Sequence, residues 1–326
     1  MRLKHRPTAF HVMEAIKKTV TILTPCYNEE LNVREIHRRV MEVAAQLPQY
    51  TFEHLFVDNA SKDGTVEILR KMALEDPNVK VIINARNFGA DRSGMNGFLE
   101  ARGDVVGSIP ADLQDPPELF LEMIKEWEKG YPIVAGVKES SDESGLMYRI
   151  RSAYYRLVAR LTNVEILEHF TGFGLYDRSV VEQIRTNFRD PYPYFRGMIA
   201  ELGLPIAKVY YNQNRRQRGI TSQNFYSLYD LAMLGITNLS KVPLRMVVFA
   251  GFVSAFISFL TGMFYLIYKL VFWTSFNVGI APVVLGLFFL SSVQLIALGI
   301  IGEYVGSIHT LVLRRPLVTE KERINF

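Results

Sequence analysis

The segment Ala111-Asp112-Leu113-Gln114-Asp115-Pro116-Pro117-Glu118 places a carboxylate and a side-chain amide two residues apart, just past an apolar run at 105–109. Both oxygens can face one divalent ion, and Mg2+ or Mn2+ favour such hard ligands, often shared with substrate phosphates. The alternative is a plain loop closed by Pro116-Pro117, with Asp115 or Pro116 near the start of a helix. A second segment, Thr24-Pro25-Cys26-Tyr27-Asn28-Glu29-Glu30, also runs from a strand into a turn. Its Tyr27 ring and Glu29 carboxylate could hold a nucleoside, or the two acids could simply complement the positive end of a helix. In the third, Val57-Asp58-Asn59-Ala60-Ser61-Lys62-Asp63-Gly64-Thr65, the strand-end Asp58 could accept from a base or ribose, although Asp63-Gly64 is also an ordinary turn. The stretch 212–222, NQNRRQRGITS, gathers Arg215, Arg216 and Arg218 without an acid. Guanidinium geometry suits it to phosphate, and its charge suits it equally to an anionic lipid surface.

These segments need a scaffold that brings them to one place. Apolar runs of strand length occur at 19–24, 54–57, 79–83, 105–109, 133–135 and 206–211, with helix-like stretches at 30–47, 64–74, 92–102 and 118–129. Alternation of this kind predicts an α/β fold with a mostly parallel sheet and helices on both faces. Polar or turn residues follow each of the first four strands. In open α/β sheets that end of the strands forms the ligand crevice, so the candidate residues should gather there.

The remainder of the chain has a different character. Between Met246 and Gly302 the single charged residue is Lys269, and two spans of bilayer length are expected at about 244–268 and 279–303. Arg245 precedes them and Arg314 and Arg315 follow, which predicts an integral protein of the cytoplasmic (inner) membrane with both termini cytoplasmic. A stripe of apolar residues from Met147 to Leu161, with Arg149, Arg151, Arg156 and Arg160 largely off it, is either a basic membrane-surface helix or an ordinary packed one. Segment 225–243 is a juxtamembrane helix by pattern, and 309–326 a cytoplasmic tail. Small residues such as Gly299 and Gly302 leave room for close helix contacts and thus a homo-oligomer. A net charge of +4 over 326 residues argues against a nucleic-acid partner. Cys26 is the only cysteine, consistent with a reducing compartment, and residues 1–18 lack the apolar core of a signal peptide. The six histidines lack metal-ligand spacing, and there is no Walker-type loop.

In order, the segments Pro25–Glu29, Val57–Ser61, Arg86-Asn87-Phe88-Gly89, Ala111–Glu118 and Arg216–Thr221 resemble glycosyltransferase family 2, most closely its polyprenyl-phosphate glycosyltransferases. The resemblance spans roughly 19–240. It implies a GT-A catalytic domain over 19–224, followed by a two-helix hairpin within 244–308. It further implies that Pro25, Tyr27, Glu29 and Asp58 hold the nucleoside of a nucleotide-sugar donor, with Asn87 in the donor site, and that Asp112 and Gln114 contact the metal. Lys138, Arg149, Arg151 and Arg216 become candidates for phosphate contacts. The implied reaction is inverting transfer of a hexose from a UDP-sugar to a polyprenyl (undecaprenyl) phosphate acceptor. A transferase using GDP-mannose, or a scaffold that binds nucleotide-sugar without turnover, is the alternative. The chain departs from the family in carrying Pro110 where an acid is usual, Gly172-Phe173-Gly174 where relatives have Asp-Phe-Arg, and Lys138 in place of Arg.

Overall fold

A computed structural model describes residues 17–140, 167, 169–213, 241–272 and 280–326. Eight strands form one sheet in the order β7-β5-β6-β4-β1-β2-β3-β8. The centre is β1 (Thr19–Cys26), whose residues are buried along almost their whole length, as expected for a strand covered on both faces. It pairs in parallel with β2 (Thr51–Asp58) and β4 (Val105–Ser108), and β2 pairs in parallel with β3 (Val79–Asn84). The β1–β2 register sets Cys26 opposite Asp58, so both strands deliver their loops at the same height.

Helical periodicity explains how the faces are covered. In α1 (Val33–Ala45), Val33, Ile36, Val40 and Val43 recur at three- and four-residue intervals and are all buried. With α2 (Thr65–Glu75) and α4 (Phe120–Glu128) they share one apolar cluster on one face of the sheet. The opposite face is covered by α3 (Ala90–Glu100), α5 (Arg178–Asn187) and α6 (Phe195–Glu201). The helix expected at 118–129 starts instead as a 3-10 turn at Pro117–Leu119, because proline is tolerated only where no N–H partner is needed.

Three strands complete the other side: β5 (Ile133–Ser140), β6 (Phe170–Asp177) and β7 (Ile206–Asn212). Strand β6 runs antiparallel between β4 and β5, and β5 pairs in parallel with β7. The mostly parallel GT-A arrangement is therefore present; on this side β6 is reversed, and the apolar pattern did not announce it.

Two long helices follow. α7 (Val242–Val271) has 30 residues and α8 (Ile280–Val312) has 33, about 45 and 50 Å at 1.5 Å per residue. Both are long and apolar enough to cross a membrane, and no side chain described in either is buried. They extend beyond the lengths expected from sequence, to Val271 and Val312. Residues 309–326, expected as a tail, return to the sheet: β8 (Glu320–Ile324) pairs antiparallel with β3 and covers what would otherwise be its open edge. The basic stripe at 147–161 and the helix expected at 225–243 lie outside the described residues, apart from Lys241 and the start of α7.

Candidate functional site

From β1 the chain steps outward to β2 and β3, then returns to place β4 on the other side of β1. This reversal opens a crevice between the carboxyl ends of β1 and β4. Ile109 still donates to the Leu23 carbonyl at 3.0 Å, and beyond that bond the two loops part.

On the β1 side, Asn28 turns the chain with a left-handed φ of 58°. Its N–H donates to Ser61 Oγ at 2.8 Å, and its own Oδ1 accepts from the Lys62 N–H at 2.8 Å, which ties the β1 and β2 loops together. Pro25 and Tyr27 are half-buried. The buried Glu29 donates its N–H to Thr65 Oγ1 at 2.9 Å, and its carboxylate accepts from Asn32 Nδ2 at 2.6 Å. Its charge thereby sits just before α1, where the helix dipole favours an anion.

Asp58 at the end of β2 is fully buried, with Oδ1 accepting from the Ser61 N–H at 3.0 Å and Oδ2 from the Ser61 hydroxyl. Burial pushes its carboxyl above the usual range, and the bonds from Ser61 and Ala60 hold it back. Next to it lies a chain of amides. Asn84 Nδ2 donates to Asn59 Oδ1 (3.2 Å) and Ser93 Oγ (2.9 Å), and Asn59 Nδ2 donates to Asn87 Oδ1 (2.9 Å). Phe88 and Gly89 donate their N–H groups to Asn59 Oδ1 and Asn87 Oδ1 at 3.0 and 2.9 Å. The exposed Asn87 thus owes its position to β2.

On the β4 side, Leu113 takes a left-handed φ of 59°, and Gln114 donates its N–H to Asp112 Oδ1 at 3.3 Å. Asp115 points inward and is 2% exposed. It accepts from Tyr211 Oη at 2.6 Å and Gln213 Nε2 at 3.3 Å. Burial raises its carboxyl, against the pull of the Lys138 charge and the Tyr211 bond. Lys138 and Tyr211 are register partners in β5 and β7, so the two strands bring both residues to Asp115 together.

Oxygen donors therefore line the β4 loop, and Asp112 has no ion-pair partner among the described residues. No group of three or more histidine, cysteine or acidic side chains that could enclose a metal occurs among those residues. A closed protein cage is thus absent there. The donor set fits a Mg2+ or Mn2+ ion that keeps waters and shares phosphate oxygens. Sequence reasoning missed Asp115 and Tyr211 as a pair, although both left a trace. Asp115 belongs to the 111–118 segment, and alternation along β7 puts Tyr211 on the buried face with Ala207 and Val209.

The departures at 172 and 174 have a backbone cause. Gly172 holds φ at 97°, which disfavours any L side chain, and a Cβ on Gly174 would lie 2.5 Å from the Val134 carbonyl oxygen. An Asp and an Arg could not enter without moving β5 and β6. Arg149, Arg151 and Arg216 lie outside the described residues. Pro25, Tyr27, Glu29, Asp58, Asn87, Asp112, Gln114 and Lys138 all come from loops or strand ends on the carboxyl side of the sheet.

Residues 21–185 match the family model described as Glycosyl transferase family 2. An uncharacterized glycosyltransferase of Bacillus subtilis (strain 168), YkcC, is 36% identical over 91% of this chain and 91% of its own length. The SfII prophage-derived bactoprenol glucosyl transferase of Shigella flexneri is 33% identical over 91% of this chain and 96% of its own. An uncharacterized glycosyltransferase of Synechocystis sp., sll0501, is 32% identical over 91% and 93%. Matching of this extent makes the chain a glycosyltransferase that belongs to glycosyltransferase family 2.

Proposed function

We propose that this enzyme transfers a hexose, glucose from UDP-glucose being the first choice, to polyprenyl phosphate at the cytoplasmic face of the inner membrane, with undecaprenyl phosphate as acceptor. One observation carries the reading: Glu29, Asp58 and Asp112 stand at or just past the carboxyl ends of β1, β2 and β4, in the same chain as two long apolar helices whose described side chains are not buried. Unburied helices of this length do not belong to a soluble core, and neither lies near the N-terminus. The name of the Shigella relative, a bactoprenol glucosyl transferase aligned over 91% of this chain, supports a lipid-phosphate acceptor and a glucosyl group.

In this reading Pro25, Tyr27, Glu29 and Asp58 hold the nucleoside, while Asn87 orders the neighbouring loop. Lys138, with Arg149, Arg151 and Arg216, meets phosphate oxygens. Asp112 and Gln114 would hold a Mg2+ or Mn2+ ion, which when bound supplies charge stabilisation for the departing diphosphate. An acceptor phosphate oxygen attacks C1 of the sugar as the bond from C1 to the diphosphate oxygen breaks, so the configuration inverts. The phosphate is already anionic near neutral pH, so no side chain need remove a proton. The chain's own contribution is positioning, which the membrane helices assist by bringing donor and lipid to one surface.

The test is direct. Purified full-length protein is incubated with labelled UDP-glucose, polyprenyl phosphate and Mn2+, and labelled lipid is expected. Label moving only from GDP-mannose would change the donor. Saturable nucleotide-sugar binding with no labelled lipid from any donor would replace the reading with a membrane scaffold.

A further inference from the structure

Where the second apolar helix ends, the chain forms one wall of a groove of about 600 Å3, within the ~300–1,000 Å3 range of small-molecule sites. The facing wall comes from α3, the end of α5 and the loop that follows it. Met95, Leu99 and Phe188 make its surface apolar, and Leu311 and Leu317 carry that apolar surface onto the end of α8 and the residues after it. None of the candidate donor or metal residues lines it.

Three exposed arginines converge on this groove from remote parts of the sequence: Arg189 after α5, and Arg314 and Arg315 after α8. No guanidinium of the three has an ion-pair or hydrogen-bond partner among the described residues. Asp190 is the one acid in the lining, and it already accepts from the Tyr192 N–H at 2.8 Å. Three positive charges thus face one engaged negative charge beside an apolar floor. A free phosphate would need the charges but not the floor. A bilayer lipid with an anionic head needs both, and Leu311 at the end of α8 makes the groove continuous with the outward-facing surface of that helix.

We propose that this groove binds an anionic membrane phospholipid, with its phosphate against Arg189, Arg314 and Arg315 and its glycerol and first methylenes against Met95, Leu99 and Phe188. This rests on the reading of α8 as a membrane span. The site is separate from the crevice, and it holds the α3 face of the catalytic sheet to the bilayer surface. Basic residues at an anionic surface each change affinity about fivefold, a free energy of roughly 1 kcal/mol.

The experiment uses the full chain in detergent, titrated with phosphatidylglycerol and phosphatidylcholine and followed by native mass spectrometry. Phosphatidylglycerol should be retained preferentially. Arg189→Gln, Arg314→Gln and Arg315→Gln should each lower the preference about fivefold, with the triple variant abolishing it. Arg189→Lys should keep most of the preference, and Arg102→Gln, exposed outside the groove, should leave it intact. Preference that survives the triple change, or that falls equally with Arg102→Gln, overturns the proposal. So does displacement of the lipid by millimolar inorganic phosphate, which would mark a free-phosphate site. Release of the chain from membranes by alkaline carbonate would overturn the membrane reading as well, so the two failures are distinguishable.

Discussion

The Arg92 guanidinium donates through Nε to the Leu317 carbonyl oxygen at 2.7 Å, joining the first turn of α3 to the chain just after the second apolar helix. Its Nη2 donates to the neighbouring Pro316 carbonyl at 2.8 Å, and the group lies near the rings of Phe88 and Tyr192, at 5.3 and 4.9 Å. One buried cation therefore links the exit of the apolar hairpin to the loop carrying Asn87. Downstream, Asn96 donates to Glu320 at 2.8 Å, Arg323 pairs with Glu100, and Asn325 Nδ2 donates to the Ala73 carbonyl at 2.7 Å.

Arg92→Gln should release this strap first. Bonds to a charged group contribute roughly 1.5–3 kcal/mol each, so two lost together should destabilise the β8 pairing by about 3 kcal/mol or more. Hydrogen exchange of the amides at 318–324 should accelerate more than a hundredfold while those of β1 stay protected. Unchanged exchange across β8 would mean that the strand pairing alone holds the tail.

Asp112→Asn tests the metal reading without relying on turnover alone. The amide retains the shape and can still accept from the Gln114 N–H, but the negative charge is gone. Transfer should fall at least about 100-fold, the scale of losing one preorganised electrostatic group. Mn2+ should tighten UDP binding to the wild type and leave binding to the variant unchanged, as read by calorimetry. Metal-stimulated binding that persists in Asp112→Asn would remove this residue from the ion's ligands.

A third prediction concerns the buried pair behind the crevice. Tyr211→Phe removes the 2.6 Å bond to Asp115 and leaves that carboxylate with Gln213 and the Lys138 charge. An under-satisfied buried acceptor costs about 1–3 kcal/mol, and more when charged. Adding Asp115→Asn should recover part of that loss, because a neutral amide is less costly to bury. Thermal unfolding of the four proteins in a double-mutant cycle supplies the coupling. Strict additivity would deny the pair its role in joining the β4 loop to β7.

How much of this was legible beforehand varied with the kind of force involved. Strands β1 to β4 and helices α1 to α4 announced themselves, because burial on two faces imposes apolar runs and helical periodicity. Their loops then converge through topology alone. Strand β6 hid behind its glycines: Gly172 and Gly174 serve a backbone conformation and a close approach to β5, and neither leaves a hydrophobic signature. Strand β8 is Glu-Lys-Glu-Arg-Ile, held by polar links such as Arg70 to Glu322 at 2.5 Å, so its sequence looks like a solvated tail. The link from Asn84 through Asn59 to Asn87 depends on side-chain geometry across two strand ends, which spacing along one chain does not encode.

The last prediction follows from a buried imidazole. His54 lies inside the sheet layer, with Nε2 3.0 Å from Thr24 Oγ1, Nδ1 3.0 Å from His37 Nδ1, and its ring stacked on Phe56. Burial holds its pKa well below 6.5, with the His37 charge acting in the same direction. His37 is lowered too, by burial and Arg34 against the pull of Asp76. The folded imidazole stays neutral while the unfolded chain takes up a proton below about pH 6.5, so protons favour unfolding. Stability should therefore be full above 6.5 and be lost as pH falls from there toward the folded pKa, by at most about 1.4 kcal/mol per pH unit for each such group. Asp58 and Asp115, raised by burial, act in the opposite sense above their ordinary value of 3.8. Comparing wild type with His54→Leu cancels those carboxylates. Unfolding midpoints of the detergent-solubilised protein between pH 7.5 and 5.5 should fall less steeply in the variant, even though Thr24 loses a partner and the variant starts less stable. Parallel slopes would show that His54 carries no proton-linked part of the stability.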